Sequence, residues 1–333
     1  MTSYTLSLAE IGRDDVQRCG GKGANLGELT RIGARVPPAF CITAQALDHL
    51  LARGDLQGRI AEVAAGLDFD DLNALELQTA TIRGMIAAAP IPGDLEAEIL
   101  DRYRALVSAA NRFVAVRSSV AVKDSPISSF PGMMDTYHYV LGEAQLVERI
   151  RECWASLWTA RAAFARHHQQ IAHGRGLIAP VVQLMVNADC AGVLFTANPI
   201  TEAAGEIVIE SNWGIGESVV SGRSMNDFFV LDKETLAVRV NRVARKNVMV
   251  TMDDARGSGR VEQAVPPAMA GAPTLSEEQL VDLGRTSMKI EDHFGFNVDI
   301  EWAYQDGTLY ILQARRIRTT RGTQAEDPAS KGV

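Results

Sequence analysis

Apolar positions three apart at Leu26, Leu29 and Ile32, followed by Gly33, predict a short amphipathic helix closed by a glycine. Residues 36–42 then read as an extended segment. From 44 to 110, Ala, Leu, Glu and Arg recur with helical periodicity, broken at Gly54 and at 89–93, which predicts a helical layer. A short apolar strand at 113–117 leads into a loop of small and polar residues, and 144–172 return to helix. Beyond 179 the pattern changes to strands, at 179–186, 191–196, 206–211, 228–231 and 237–243, with glycine-rich turns between them. One further helix, 276–294, precedes two strands at 297–304 and 308–313, joined across Gln305-Asp306-Gly307, a hairpin signal. The expected organisation is an α/β (α+β) chain with one subdomain at 1–180, a second at 181–318 and a polar, flexible tail at 319–333.

Composition narrows the class without naming a function. The 333 residues are 47% hydrophobic and 22% charged, which suits a globular chain with ample core. A formal charge of -8 argues against general nucleic-acid binding, which needs a basic surface. No run of about 18 apolar residues occurs, so a membrane span is not expected and a cytoplasmic location is. The four cysteines are scattered without paired spacing, which suggests reduced, structural thiols.

Four stretches place polar or glycine residues against this pattern. In GGKGANLGEL, 20–29, four glycines and Lys22 surround a helix start, where free N–H groups and a lysine suit an anion; the plain alternative is a flexible turn entering a surface helix. Arg117-Ser118-Ser119 ends an apolar strand. A guanidinium there suits phosphate oxygens, or else pairs with a structural carboxylate. Asp299 and Glu301 alternate on one strand and Gln313 and Arg315 on the next, so paired in register they can gather Mg²⁺ and a polyphosphate, or form a solvated hairpin face. Gln183 to Val186 closes a β-branched run whose backbone could meet an adenine edge beside Met185, or simply end in core.

Together these stretches resemble the ATP-grasp nucleotide-binding domain of the phosphoenolpyruvate synthase and pyruvate phosphate dikinase family, which includes rifamycin phosphotransferase. The matching text is GGKGANLGEL, VAVRSS with SSFPGMMDT, QLMV, AGVLFTANP, IESNWGIGESVVSG, DIEW and LQARRI, over roughly residues 8–318. The resemblance implies two subdomains with ATP between them, and Mg²⁺ as its companion. It assigns phosphate contacts to Lys22, Arg117 and Arg315 as the catalytic set, and extends the nucleotide site to Ser118, Gly132, Asp135, Thr136 and Glu217. It puts the adenine hinge on Gln183 and Met185, phosphate or metal contacts on Asp299 and Gln313, and the metal on Glu301 and Gln313. On this reading the glycines of 20–27 let the backbone approach the triphosphate.

Two departures matter. Lys123-Asp124 stands where synthase-type members usually carry an acidic pair, and GMMDT looks more like the dikinase form. None of the six histidines lies in the glycine- and threonine-rich context that marks the family's phosphohistidine. The resemblance therefore implies an ATP-binding subunit that delivers phosphate, with AMP and phosphate released, to a histidine on a partner that also holds a small-molecule acceptor. This split arrangement resembles phenylphosphate synthase and makes phenol the expected acceptor. The nucleotide half of a phosphoenolpyruvate synthase, a piece of a rifamycin phosphotransferase and a non-catalytic ATP sensor are the alternatives.

Overall fold

A computed structural model describes residues 3–123, 135–222 and 224–317. The chain forms two compact units. The first comprises residues 1–187, 250–263 and 310–313; the second comprises 188–249, 264–309 and 314–333. The fold is mixed α/β, as expected. Residues 181–187, expected with the second segment, group with the first unit. The tail at 319–333 lies outside the described residues.

Among the described residues up to 187 there are seven strands: β1 (Thr5–Ser7), β2 (Ala39–Ile42), β3 (Phe113–Arg117), β4 (Val120–Val122), β5 (Thr136–Leu141), β6 (Gly176–Ile178) and β7 (Val181–Leu184). Five of them form a sheet in the order β1-β2-β7-β3-β5, and β4 pairs with β6. The same described residues form the α-helices α1 (Val16–Arg31), α2 (Ala44–Leu51), α3 (Leu56–Ala65), α4 (Leu72–Ala88), α5 (Gly93–Leu106), α6 (Gly142–Ala155) and α7 (Ala160–His168). The expected helical layer is therefore present, with breaks around Gly54 and at 89–92. Asp71 starts α4 by accepting the backbone N–H groups of Asn73 and Ala74. One core joins the helices to the sheet, with Leu47, Ile82, Ile99, Ile150 and Trp154 packed against Phe40, Val114, Val116 and Val182.

In the remaining chain, β8 (Cys190–Phe195), β9 (Glu206–Trp213), β10 (Asp227–Asp232), β11 (Val238–Arg242), β14 (Val298–Gln305) and β15 (Thr308–Arg316) make a six-stranded sheet. Its order is β11-β10-β9-β8-β14-β15. Two strands not foreseen, β12 (Val248–Met252) and β13 (Arg260–Ala264), pair with each other. The helices are α8 (Glu217–Val220), α9 (Pro267–Ala270) and α10 (Glu277–Phe294). Ser276 and Gln279 form a capping box at the start of α10, and Gly295, in the left-handed region, closes it. Between β14 and β15, Asp306 and Gly307 both have positive φ, 50° and 71°, as a tight two-residue hairpin turn requires. Gly192 in β8 has no room for a side chain, since a Cβ there would lie 1.9 Å from the carbonyl oxygen of Glu210. Among the described residues no helix is long and apolar enough to cross a membrane.

Candidate functional site

In the first unit, α1 bends at Gly20, whose φ of 67° and ψ of 173° suit glycine, so the helical turn that carries Lys22 begins there. The glycines around it have reasons inside the protein. A Cβ at Gly20 would lie 2.3 Å from Ser119 Oγ, one at Gly23 2.9 Å from Cys19 Cβ, and one at Gly27 2.5 Å from the Ile11 carbonyl oxygen. At these three positions the missing side chain makes room for the chain itself. The Gly23 N–H is also already used, donating to Ser119 Oγ at 3.0 Å.

Arg117 is buried at the end of β3. Its Nη1 donates to Gln183 Oε1 at 3.1 Å and to the carbonyl oxygen of Leu312 at 2.6 Å. Arg117 is in register with Thr136 on β5, and Ser118 N–H donates to the Asp135 carbonyl oxygen at 3.4 Å. The structure thus brings Arg117, Ser118, Asp135 and Thr136 together; Gly132 lies outside the described residues. Lys22 belongs to the same neighbourhood. Burial pushes the Cys153 thiol up, the Lys22 charge opposes that and the Asp135 charge adds to it, so both side chains act on one buried sulfur. All four cysteines are free and buried.

Gln183 and Met185 differ in detail from what was expected of them. Gln183 sits inside the ladder, between Ala39 and Ala115, with its side chain turned to Arg117 and its Nε2 donating to the Pro37 carbonyl oxygen at 3.4 Å. Met185 donates its N–H to the Phe113 carbonyl oxygen, and its own carbonyl accepts from Asn111 Nδ2. At Met185, then, the backbone N–H and carbonyl oxygen each already have a partner within the protein.

In the second unit, Asp299 pairs in register with Phe195 and Glu301 with Val193, both on β14. Arg315 Nε donates to Asp299 Oδ2 at 2.7 Å, which realises the expected convergence for those two residues. Asp299 is 7% exposed, and its other oxygen, Oδ1, is buried without a hydrogen-bond partner. Desolvation holds its carboxyl above the usual range; the Arg315 charge opposes this and the Glu301 charge reinforces it. Glu217 opens the short helix α8. Gln313, buried on β15, groups with the first unit. No cluster of three or more His, Cys, Asp or Glu side chains among the described residues is placed to hold a metal by itself. The orphaned Asp299 oxygen beside Glu301 fits Mg²⁺, a cation that takes one or two carboxylates and completes its shell with phosphate and water.

Sequence reasoning missed Ser119 as a partner of the glycine helix and the Leu312 carbonyl as a partner of Arg117. Both contacts join residues about a hundred or more positions apart, and no local pattern announces them.

The first unit thus holds a buried arginine at a strand end near a lysine at a helix start, and the second holds a buried, desolvated Asp299 beside Glu301. The family described as "Pyruvate phosphate dikinase, AMP/ATP-binding domain" matches residues 16–332, and this chain belongs to it. Among curated proteins, a probable phosphoenolpyruvate synthase of Methanocaldococcus jannaschii is 40% identical over 97% of this chain and 27% of its own length. A probable phosphoenolpyruvate synthase of Pyrococcus horikoshii is 38% identical over 96% of this chain and 44% of its own. The phosphoenolpyruvate synthase of Pyrococcus furiosus is 36% identical over 97% and 44%. The chain therefore spans less than half the length of these relatives. Among solved structures, a D-alanine–D-alanine ligase from Bacillus anthracis aligns over 71% of this chain and 64% of its own at 9% identity, with a TM-score of 0.26, too loose a likeness to carry an argument.

Proposed function

We propose that this chain binds Mg-ATP and passes a phosphoryl group from it to a histidine outside these 333 residues, the first half of a dikinase reaction. The observation that carries this reading is Asp299: a buried carboxylate with one oxygen on Arg315 and the other without a hydrogen-bond partner, in a domain family described by AMP and ATP binding. A buried anionic oxygen without a donor is costly unless a cation joins it.

Each side chain then has a task. Lys22 and Arg117 neutralise phosphate oxygens, and Gln183 and the Leu312 carbonyl fix the guanidinium so that little freedom is lost on binding. Ser118, Asp135 and Thr136 are assigned to the phosphate end, as is Gly132 from the family resemblance alone, while Gln183, Met185 and Glu217 are assigned to the nucleoside. Asp299, Glu301 and Gln313 would hold Mg²⁺, which would supply positive charge to the phosphates. Arg315 orients Asp299 and adds a positive charge for the transferred group. Phosphoryl transfer asks for positioning and charge neutralisation, so no nucleophile from this chain is needed.

The β phosphate is the proposed transferred group, leaving AMP and phosphate, and the histidine and final acceptor are proposed to reside on a partner subunit. The relatives named above are phosphoenolpyruvate synthases, so pyruvate comes first among candidate acceptors and phenol, the phenylphosphate synthase reading, second. Calorimetry of Mg-ATP binding to the wild-type chain, Arg117→Ala and Glu301→Gln tests the site. Tight wild-type binding that both variants lose is expected; unchanged binding in either variant removes that residue from the site.

A further inference from the structure

The turn that carries Lys22 starts at a residue that cannot cap it. A helix N-cap ordinarily supplies a side-chain oxygen to the second or third N–H of the helix. Gly20 occupies that place and has no side chain. The oxygen comes instead from Ser119, 96 residues beyond Gly23: its hydroxyl accepts the Gly23 N–H at 3.0 Å and donates to the Cys19 carbonyl oxygen at 2.6 Å. One hydroxyl thereby grips both sides of the Gly20 bend. Ser119 is 1% exposed, and its own carbonyl accepts from Ala179 N–H at 2.7 Å, so the gripping residue is itself anchored. The fit is reciprocal, because any Cβ at Gly20 would lie 2.6 Å from the Ser119 carbonyl carbon.

Ser119 stands two residues after Arg117, in the short link between β3 and β4, while Lys22 lies between Gly20 and Gly23. We infer that Ser119 is a positioning residue for nucleotide binding: its hydroxyl caps the Lys22 helix in place of the side chain Gly20 lacks, and so sets Lys22 in fixed register with Arg117. The effect of Ser119 passes through Lys22, and the inference rests on the ATP-binding reading above.

The test is a double-mutant cycle on the full chain, with Mg-ATP affinity measured by calorimetry for wild type, Ser119→Ala, Lys22→Ala and the double variant. Ser119→Ala is expected to weaken Mg-ATP about tenfold, a loss of the size a cap contributes. In the Lys22→Ala background the same change is expected to cost nothing further, because the residue it positions is gone. A serine whose role is merely structural would weaken both backgrounds equally or neither. Wild-type affinity in Ser119→Ala, or two losses that multiply, overturns the inference while leaving the ATP site standing. A wild-type chain that binds no Mg-ATP overturns the proposed function and this inference with it. If Ser119→Ala does not fold, Ser119→Cys, which keeps the volume and weakens both hydrogen bonds, is judged by the same outcomes.

Discussion

Arg117 Nη1 donates to the carbonyl oxygen of Leu312 at 2.6 Å, which ties the end of β3 to the residue just before Gln313. With Gln183 Oε1 on the same nitrogen, the guanidinium is held at two points before any ligand arrives. Preorganised charge of this kind stabilises a developing transition state without reorganisation. Arg117→Ala is expected to lower phosphoryl transfer by about 10²–10³-fold. The chain should still fold, at a cost of about 1–3 kcal/mol for the partners left behind. Circular dichroism and a thermal melt check the second point, and transfer near the wild-type rate in a folded variant refutes the first.

Asp299 gives a pH dependence whose direction differs for the free protein and for its complex. Its folded-state carboxyl lies above the ordinary carboxylate range through desolvation, opposed by Arg315. Its contribution to folding is therefore favourable below the unfolded-state value and is lost as pH rises through the folded one. Metal binding needs the ionised form, so the Mg²⁺-dependent part of ATP affinity should fall as pH drops through the raised value. Asp299→Asn should abolish that pH-dependent part and leave the metal-free chain at least as stable at neutral pH. Calorimetry across pH, with and without Mg²⁺, measures both; a Mg²⁺ effect retained in Asp299→Asn contradicts the assignment.

Two glycines separate packing from propensity. At Gly27 a methyl group would meet the backbone of Ile11 at 2.5 Å, so Gly27→Ala should destabilise by about 1–3 kcal/mol. Gly84 lies inside α4 with nothing within 4 Å of a Cβ, and Gly84→Ala should stabilise by about 0.5–1 kcal/mol. Denaturant midpoints of the two variants should move in opposite directions.

A buried ion pair holds the second unit. Lys246 and Asp227 meet at 2.6 Å with both side chains fully buried, and Asp227 also accepts the backbone N–H groups of Ala244 and Thr274 and the Thr274 hydroxyl. Lys246→Met should cost about 3–5 kcal/mol, because it leaves a carboxylate uncompensated in the core. Equilibrium unfolding measures it, and a loss below about 1 kcal/mol would show that hydrogen bonds alone satisfy Asp227.

Local patterns carried much of this into view. The helices from 44 to 110 followed from periodicity, α10 was read at 276–294, and the β14–β15 hairpin followed from Gln305-Asp306-Gly307. The motif residues could be named because glycine, lysine, arginine and carboxylates stood against those patterns. Three kinds of feature were not legible. Strands β12 and β13 are five residues each, the first half-buried and the second largely exposed, so no alternating buried face marks them. The Asp227–Lys246 pair joins two charges 19 positions apart, each unremarkable alone. The reasons for Gly20, Gly23 and Gly27 lie in Ser119, Cys19 and Ile11, and only the folded chain sets those neighbours against them.

The most direct test of the central claim supplies the chain with Mg²⁺ and ATP labelled separately at the β and γ phosphates, together with proteins that co-purify with it from its host. The expected result is acid-labile label on a partner histidine from the β-labelled ATP alone, with AMP released in equal amount. Tight ATP binding with no label on any partner, and no AMP formed, would contradict the dikinase reading and leave a chain that senses the nucleotide.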